Sequence, residues 1–456
     1  MDFYILAFLY SIFLFWFGYL FIQYKISLYT STYIIYTLLI GIPFFIIFAE
    51  IQGVFYISEV IHRTLNAKVT LSLNNGFRPI TYMLIFNFIY LLMGSIGISE
   101  FKKAKIIKYN ISREYAKKIY NIALILLAVS FAYIFIRYIF FPDFPLFVLI
   151  KSGFSGDAIL RDIAFSYGHK HNMPYIFLPS INSQFYRILI PTSFFLLLYY
   201  YQNSHKETNI KLLLIFAFIV TITLNFGTFK RTPILYLSTW FILYLYIYSD
   251  DLHSLVKILY FVSITVILLI FITTLYTDKE LQTILYNLLA RFAVGEAIGE
   301  FLAIEHFGTT FDYMYLNIFT VYFQKILGMD VMTFSELWKI LTGGTRGYTS
   351  IGIIAEFIVS FGYISILYFI LFSALIIKLD IFFKQNSKSP YRPIIAGLMT
   401  IISFMMVKGF FAQLFTGGVV VLTFIYLLIE FYTKDLKVVE PKNLNKVFYY
   451  ENKSSM

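Results

Sequence analysis

The stretch FKKAKIIKYNISREYAKK, Phe101–Lys118, runs directly into IYNIALILLAVSFAYIFIRYIFF, Ile119–Phe141, and the junction between the two decides the fold. The first half gathers Lys102, Lys103, Lys105, Lys108, Arg113, Lys117 and Lys118. The second is an apolar run of the length, about 17–25 residues, that a helix needs to cross a bilayer. Basic residues in short loops collect on the cytoplasmic side. The junction therefore predicts a membrane-spanning helix and tells which of its ends is inside.

Outward from this point the same pattern repeats. Apolar stretches occur at Phe3–Ile22, Tyr33–Phe48 and Ile80–Ile98 before it, and at Phe185–Tyr201, Leu212–Phe226, Ile234–Tyr248, Ile258–Tyr276, Ile351–Ile377, Pro393–Val407 and Phe410–Phe431 after it. The expectation is an all-α, polytopic integral membrane protein with about 11 transmembrane helices. Composition agrees: 59% of residues are hydrophobic and 13% charged, with a mean hydropathy of +0.76, values that a soluble globule of this size does not reach. Alternate counting from Phe101–Lys108 puts Lys25, 206–211, 250–257, 378–392 and the basic tail 432–456 in the cytoplasm, with the N-terminus outside. Much of the formal charge of +11 then faces anionic lipid headgroups, and a nucleic-acid partner is not needed to explain it.

The whole chain, 1–456, reads as one transmembrane domain. Two segments, 142–183 and 278–348, form large extracytoplasmic loops. The first span, with Asp2 ahead of it and no basic leader, reads as an uncleaved anchor. The chain has no cysteine, which excludes disulfides and thiolate metal sites. No internal repeat of the kind that builds secondary transporters is visible.

Cations on the exterior side violate the orientation bias and point to function. Asn225-Phe226-Gly227-Thr228-Phe229-Lys230-Arg231-Thr232-Pro233 places Lys230 and Arg231 between two spans on the outer face. Arg161, His169, Lys170 and His171 lie in the first large loop, Arg291 and Arg346 in the second. The plain alternative for each is a solvated turn with weak surface ion pairs. In the second loop Glu296 and Glu300, four residues apart, share a helical face, where like-charge repulsion raises a carboxyl pKa and suits it to proton transfer. The alternative is the solvated face of an interfacial helix, and Glu305-His306 carries the same ambiguity. Leu341-Thr342-Gly343-Gly344-Thr345-Arg346-Gly347-Tyr348 precedes another apolar run, so backbone N–H groups and a helix dipole are available there to an anion. Glu356 falls a turn or two inside the membrane boundary, where a carboxylate needs a partner or a proton.

The glycine-rich turn followed by Glu356 and then Phe361-Gly362-Tyr363-Ile364 resembles the late motif of bacterial oligosaccharide repeat-unit polymerases of the Wzy type, which build O-antigen or capsular polysaccharide. The Gly227–Arg231 turn and Leu160-Arg161 ahead of Gly168 are similar to arginine-bearing positions of that family. The resemblance spans Ile159 to Leu379 and does not extend to the residues before Ile119. It implies a fold like that of C-type membrane glycosyltransferases, in the bacterial cytoplasmic membrane, working on undecaprenyl-pyrophosphate-linked oligosaccharides as donor and acceptor. Membrane lipids and a chain-length regulator protein are the other implied partners. Arg161, Lys230, Arg231, Arg291 and Arg346 would hold the pyrophosphate, since guanidinium pairs bidentately with phosphate oxygens. Glu356, Glu300, His171 and His306 are the candidates for the general base. No cofactor and no metal are expected, because the first exterior loop offers Glu59, with Glu50 at its edge, against Arg63, Lys68 and Arg78. An O-antigen ligase and a lipid-linked oligosaccharide flippase or other transporter are the competing readings.

Overall fold

The computed structural model describes residues 2–54, 76–107, 113–140, 144, 146, 150, 179–203, 208–228, 231–248, 297–307, 352–409, 414 and 417–433. Among them every regular element is helical: α1 (Asp2–Tyr24), α2 (Leu28–Tyr36), α3 (Ile42–Ile51), α4 (Phe77–Lys103), α5 (Arg113–Phe140), α6 (Pro179–Gln184), α7 (Ile190–Asn203), α8 (Thr208–Phe226), α9 (Arg231–Tyr248), α10 (Ile298–Phe307), α11 (Ile353–Phe361), α12 (Ser365–Gln385), α13 (Arg392–Lys408) and α14 (Val419–Thr433). Among the described residues six helical stretches are long and apolar enough to cross a membrane: Phe3–Tyr24, Leu28–Ile51, Phe77–Lys103, Glu114–Phe140, Asn209–Phe226 and Ile353–Gln385. The described residues are thus all-helical, and their long apolar helices are those of a membrane protein. Pro233–Tyr246, Arg392–Val407 and Val419–Thr433 are shorter apolar helices. The chain forms two compact units interleaved in sequence, the first from Met1–Ala104, Lys279–Phe383 and Ile401–Gly417, the second from Lys105–Asp278, Lys384–Thr400 and Gly418–Met456.

In the first unit, α2 begins at Ser27 with a capping box, Ser27 Oγ accepting from Thr30 N–H and Thr30 Oγ1 accepting from Ser27 N–H at 2.9 Å. It passes through a π turn, Thr37–Gly41, into α3. Pro43 explains the π turn, since its missing N–H and its ring disturb the hydrogen-bond ladder one turn earlier. Gly41 lets α1 approach, because a Cβ there would overlap the Tyr10 hydroxyl. Helices in lipid associate by close packing and buried hydrogen bonds rather than by exclusion from water. Tyrosine supplies both: Tyr24 OH donates to Gly94 O at 2.7 Å, Tyr29 OH to Tyr90 O at 3.1 Å, Tyr90 OH to Tyr29 O at 2.9 Å and Tyr33 OH to Asn87 Oδ1 at 2.6 Å. The Tyr29 and Tyr90 rings stack at 4.6 Å. This is where much of the 21% aromatic content goes in this unit.

The second unit repeats the proline device. A π turn, Phe185–Leu189, stands two residues ahead of Pro191, as Thr37–Gly41 stands two ahead of Pro43. Helix α7 packs along α5 and α8. Trp240 on α9 donates Nε1–H to Pro393 O at 3.1 Å and stacks on Phe195 at 5.4 Å; Gly397 leaves the space its ring fills. At the end of the unit where α5 finishes, Asn225 Nδ2 donates to Tyr186 O at 2.9 Å, and Ile134, Phe144, Tyr186, Ile190 and Leu224 form a closed apolar cluster. At the other end the Arg392 guanidinium lies 4.9 Å from the Tyr244 ring and 5.3 Å from that of Tyr199, and donates to Gln202 Oε1 and Tyr244 OH at 3.2 Å each. Tyr391 beside it donates to the Glu430 carboxylate.

Candidate functional site

The sequence around Gly352 folds as a helix start without a cap of its own. Gly352 is the N-cap of α11, extended at φ −73 and ψ 176, and has no side chain to accept from the first turn. The missing acceptor comes from α10. Glu300 Oε1 accepts from Ile354 N–H at 3.0 Å and from Ala355 N–H at 3.1 Å, the second and third positions of the helix, which an N-cap Ser or Asp would normally satisfy. Glycine is required at 352 because a Cβ would overlap the Glu300 carboxylate. The second oxygen, Glu300 Oε2, is buried and accepts no hydrogen bond.

Glu356, in the first turn of α11, is buried as well and acts on Glu300 as a like charge. The Glu300 carboxyl is pushed up to about 8. Burial is the largest cause, the two backbone N–H groups oppose it, and Glu356 adds to it. Around this pair stand groups from the neighbouring helices of the same unit. Phe44 meets Phe301 edge-on at 5.1 Å, and the Tyr36 hydroxyl is close enough to feel Glu300's charge. Arg78, at the start of α4, donates Nη1–H to Glu305 O at 2.6 Å. The Glu305 carboxyl is raised by burial, an effect partly offset by Arg78 and by the Gly76 N–H. Gly76, at φ 65, opens α4 against Phe48, Ile51 and Phe301, a left-handed conformation that a Cβ would strain.

Glu300 is therefore not on the solvated face expected for an interfacial helix; α10 turns it inward, and it is fully buried. The glycine-rich turn 341–348 lies outside the described residues, and the first-turn N–H groups of α11, on Ile354 and Ala355, are taken by the Glu300 carboxyl. The Phe361-Gly362-Tyr363-Ile364 motif is a helix break. Gly362 sits at φ 53, ψ −131, a region open to glycine, and the chain restarts as α12 at Ser365 while Phe361 stacks on Tyr368 at 4.0 Å. His306 is exposed in the last turn of α10. Arg231 is the first residue of α9, in the second unit. Glu296, His171, Arg161, Lys230, Arg291 and Arg346 lie outside the described residues. Among the described residues no three His, Asp or Glu side chains gather in a way that would hold a metal ion.

Two buried ionisable residues, Arg137 and Asp380, and a half-buried one, Arg187, stand in apolar surroundings that hydropathy alone does not single out. Arg137 lies inside the apolar run Ile119–Phe141, is fully buried, and stands 5.0 Å from the Tyr138 ring. Arg187, on the second π turn, stands 5.5 Å from the Tyr186 ring, with its Nε buried and unbonded. Hydropathy places Asp380 in the loop after Ile377, but α12 continues to Gln385 and keeps Asp380 buried. The general expense of ionisable groups in apolar segments was the signal available for all three. No protein-family model, curated protein or solved structure matches the chain.

Proposed function

We propose that this protein is a membrane glycosyltransferase of about 11 spans, with a C-type layout, that polymerises undecaprenyl-pyrophosphate-linked repeat units on the outer leaflet. In the reaction the acceptor sugar's hydroxyl oxygen bonds to the donor's anomeric carbon. The bond from that carbon to the diphosphate breaks, and the diphosphate leaves with the electron pair. The hydroxyl proton goes to a carboxylate. Direct displacement inverts the anomeric centre. Arg161, Lys230, Arg231, Arg291 and Arg346 are assigned to the departing diphosphate, their charge taking the place of a metal ion.

The observation that supports this reading best is the Glu300–Glu356 pair. A buried carboxyl near 8, with one oxygen fixed on two N–H groups and the other unbonded, titrates in the range useful to an acid–base catalyst at neutral pH. It lies against the helix whose sequence carries the polymerase-like motif. We assign the acid–base role to Glu300, with Glu356 as the residue that tunes it. The same pair also fits a proton-coupled transporter, since a carboxyl with this titration range can carry protons across a membrane.

Deletion of the gene separates the readings. A polymerase leaves surface glycans capped by a single repeat, a ligase accumulates long lipid-linked chains, and a flippase traps units inside the cell. Normal glycan ladders in the deletion strain would end the polymerase assignment.

A further inference from the structure

The end of the second unit where α5 finishes and α6 and α9 begin is cationic in a way the sequence reading did not register. Arg137 and Arg187 each stand against a tyrosine ring, Tyr138 and Tyr186. Tyr133, one helical turn before Arg137 and within reach of its charge, stacks face to face on Phe185 at 3.7 Å. Phe185 opens the π turn that carries Arg187. Tyr138, under the Arg137 guanidinium, packs on Phe144 at 4.9 Å, and Phe144 and Tyr186 belong to the same apolar cluster. π turns inside helices occur often at functional sites, because they displace one side chain from the regular ladder.

No acid among the described residues of this unit answers the charge of Arg187. The described carboxylates there are Glu114 and Glu430. Glu114 opens α5, and from residue 114 to residue 137 the helix rises about 35 Å at 1.5 Å per residue. Glu430 is engaged with Tyr391 at the opposite end. Arg187 also lies close enough to Tyr236 to act on its hydroxyl. Helical side chains lean toward the N-terminus, so that hydroxyl is directed toward the first turns of α9, the helix that opens at Arg231.

A guanidinium at the end of apolar helices with a buried, unbonded Nε has a donor position open to an anion. We propose that Arg187 forms a binding site for phosphoryl oxygens, and that its ligand is the phosphate or diphosphate headgroup of a lipid. Planar guanidinium matches phosphate oxygens in pairs, and the location at the end of the helices suits a headgroup. The choice of undecaprenyl diphosphate as the lipid rests on the polymerase reading; the anion site does not.

The full-length protein in phosphatidylcholine nanodiscs tests this with two probes. One is inorganic pyrophosphate, titrated calorimetrically. The other is undecaprenyl diphosphate doped into the discs, with undecaprenol as the phosphate-free control. The wild type is expected to be stabilised by the diphosphate lipid and not by the alcohol. Arg187→Ala and Arg187→Gln are expected to weaken diphosphate binding by about tenfold or more, the worth of a lost charge-assisted pair, and Arg187→Lys by less. Melting of each variant without ligand shows that it is folded; if Arg187→Ala does not fold, the Gln and Lys variants decide. Binding equal to wild type in the folded Ala or Gln variant overturns the site. Response to soluble pyrophosphate but not to the lipid keeps the site and removes the lipid-linked reading. Absence of response to either probe in the wild type removes both.

Discussion

Two carboxylates in the first unit do the same job at opposite levels of completeness. Asp380 reaches from α12 to the start of α2, a partner 352 residues away in sequence, and accepts from Leu28 N–H at 2.9 Å with Oδ1 and from Tyr29 N–H at 3.3 Å with Oδ2. Glu300 reaches from α10 to the start of α11 and places both accepted bonds on Oε1. Each buried acid completes a helix start that belongs to another segment. In Asp380 both oxygens are bonded. In Glu300 one is left, next to a second glutamate. A buried polar atom without a partner costs about 1–3 kcal/mol, so the first arrangement reads as architecture and the second as the place where the proposed function puts its acid–base group.

The largest effect is expected from removing the complete cap. Asp380→Ala strips two charge-assisted bonds from a buried helix start, each worth about 1.5–3 kcal/mol. The variant should lose roughly 3 kcal/mol, seen as a fall in melting temperature in detergent and in the amount recovered from membranes. Asp380→Asn, which keeps an acceptor, should lose about 1 kcal/mol. If Asp380→Asn abolishes glycan chain growth while melting like wild type, the division into architectural and chemical acids is wrong.

Next is Gly352→Ala. The new methyl group occupies the position of the Glu300 carboxylate, and the clash should cost about 1–3 kcal/mol, the usual range for overpacking. The double variant Gly352→Ala with Glu300→Ala should cost less than the sum of the two single ones, since each removes what the other collides with. Strict additivity in melting experiments would show that the two residues do not meet.

Part of this contrast was open to a reading of the sequence and part was not. Glu356 stood inside an apolar run, so its need for a partner or a proton followed from the cost of burying charge. The glycine-rich turn 341–348 ahead of an apolar run implied N–H groups and a helix dipole open to an anion. What filled them was not legible, because Glu300 arrives from a distant segment, 54 residues before Ile354. Local periodicity gave α10 a solvated face, and packing between distant segments overrode it. Asp380 was hidden by a boundary error of a few residues, the weakest part of any reading by hydropathy. Arg137 was visible inside Ile119–Phe141, but the run's apolar average concealed it.

The third expected effect is on pH dependence. The fold holds the Glu300 carboxyl at about 8, above its ordinary value of 4.5, so the folded chain binds a proton that the unfolded chain has released between those limits. The contribution to stability is complete below pH 4.5 and is lost as pH rises through 8. Each tenfold gain in proton affinity on folding sets a ceiling of about 1.4 kcal/mol on that contribution. Glu300→Gln should flatten the decline while still accepting from Ile354 and Ala355 through its amide oxygen. Under the proposed function it should also abolish chain growth, whereas the wild-type rate should climb toward pH 8 as the base form appears. A Gln variant with full activity would remove Glu300 from the chemistry and leave it a cap like Asp380.

The smallest effect sharpens the comparison most. Glu356 is the last of the causes that raise Glu300, behind burial and opposed by two backbone N–H groups, so removing its charge should shift Glu300 downward only in part. Glu356→Gln should therefore keep activity and move the rising limb of the rate–pH profile to lower pH, with stability nearly unchanged. Loss of activity at every pH would mean that Glu356 itself takes the proton and that Glu300 only holds α11 in place. The roles of the two glutamates would then be exchanged, and Glu300, with its unbonded oxygen, would belong beside Asp380 as an incomplete version of the same cap.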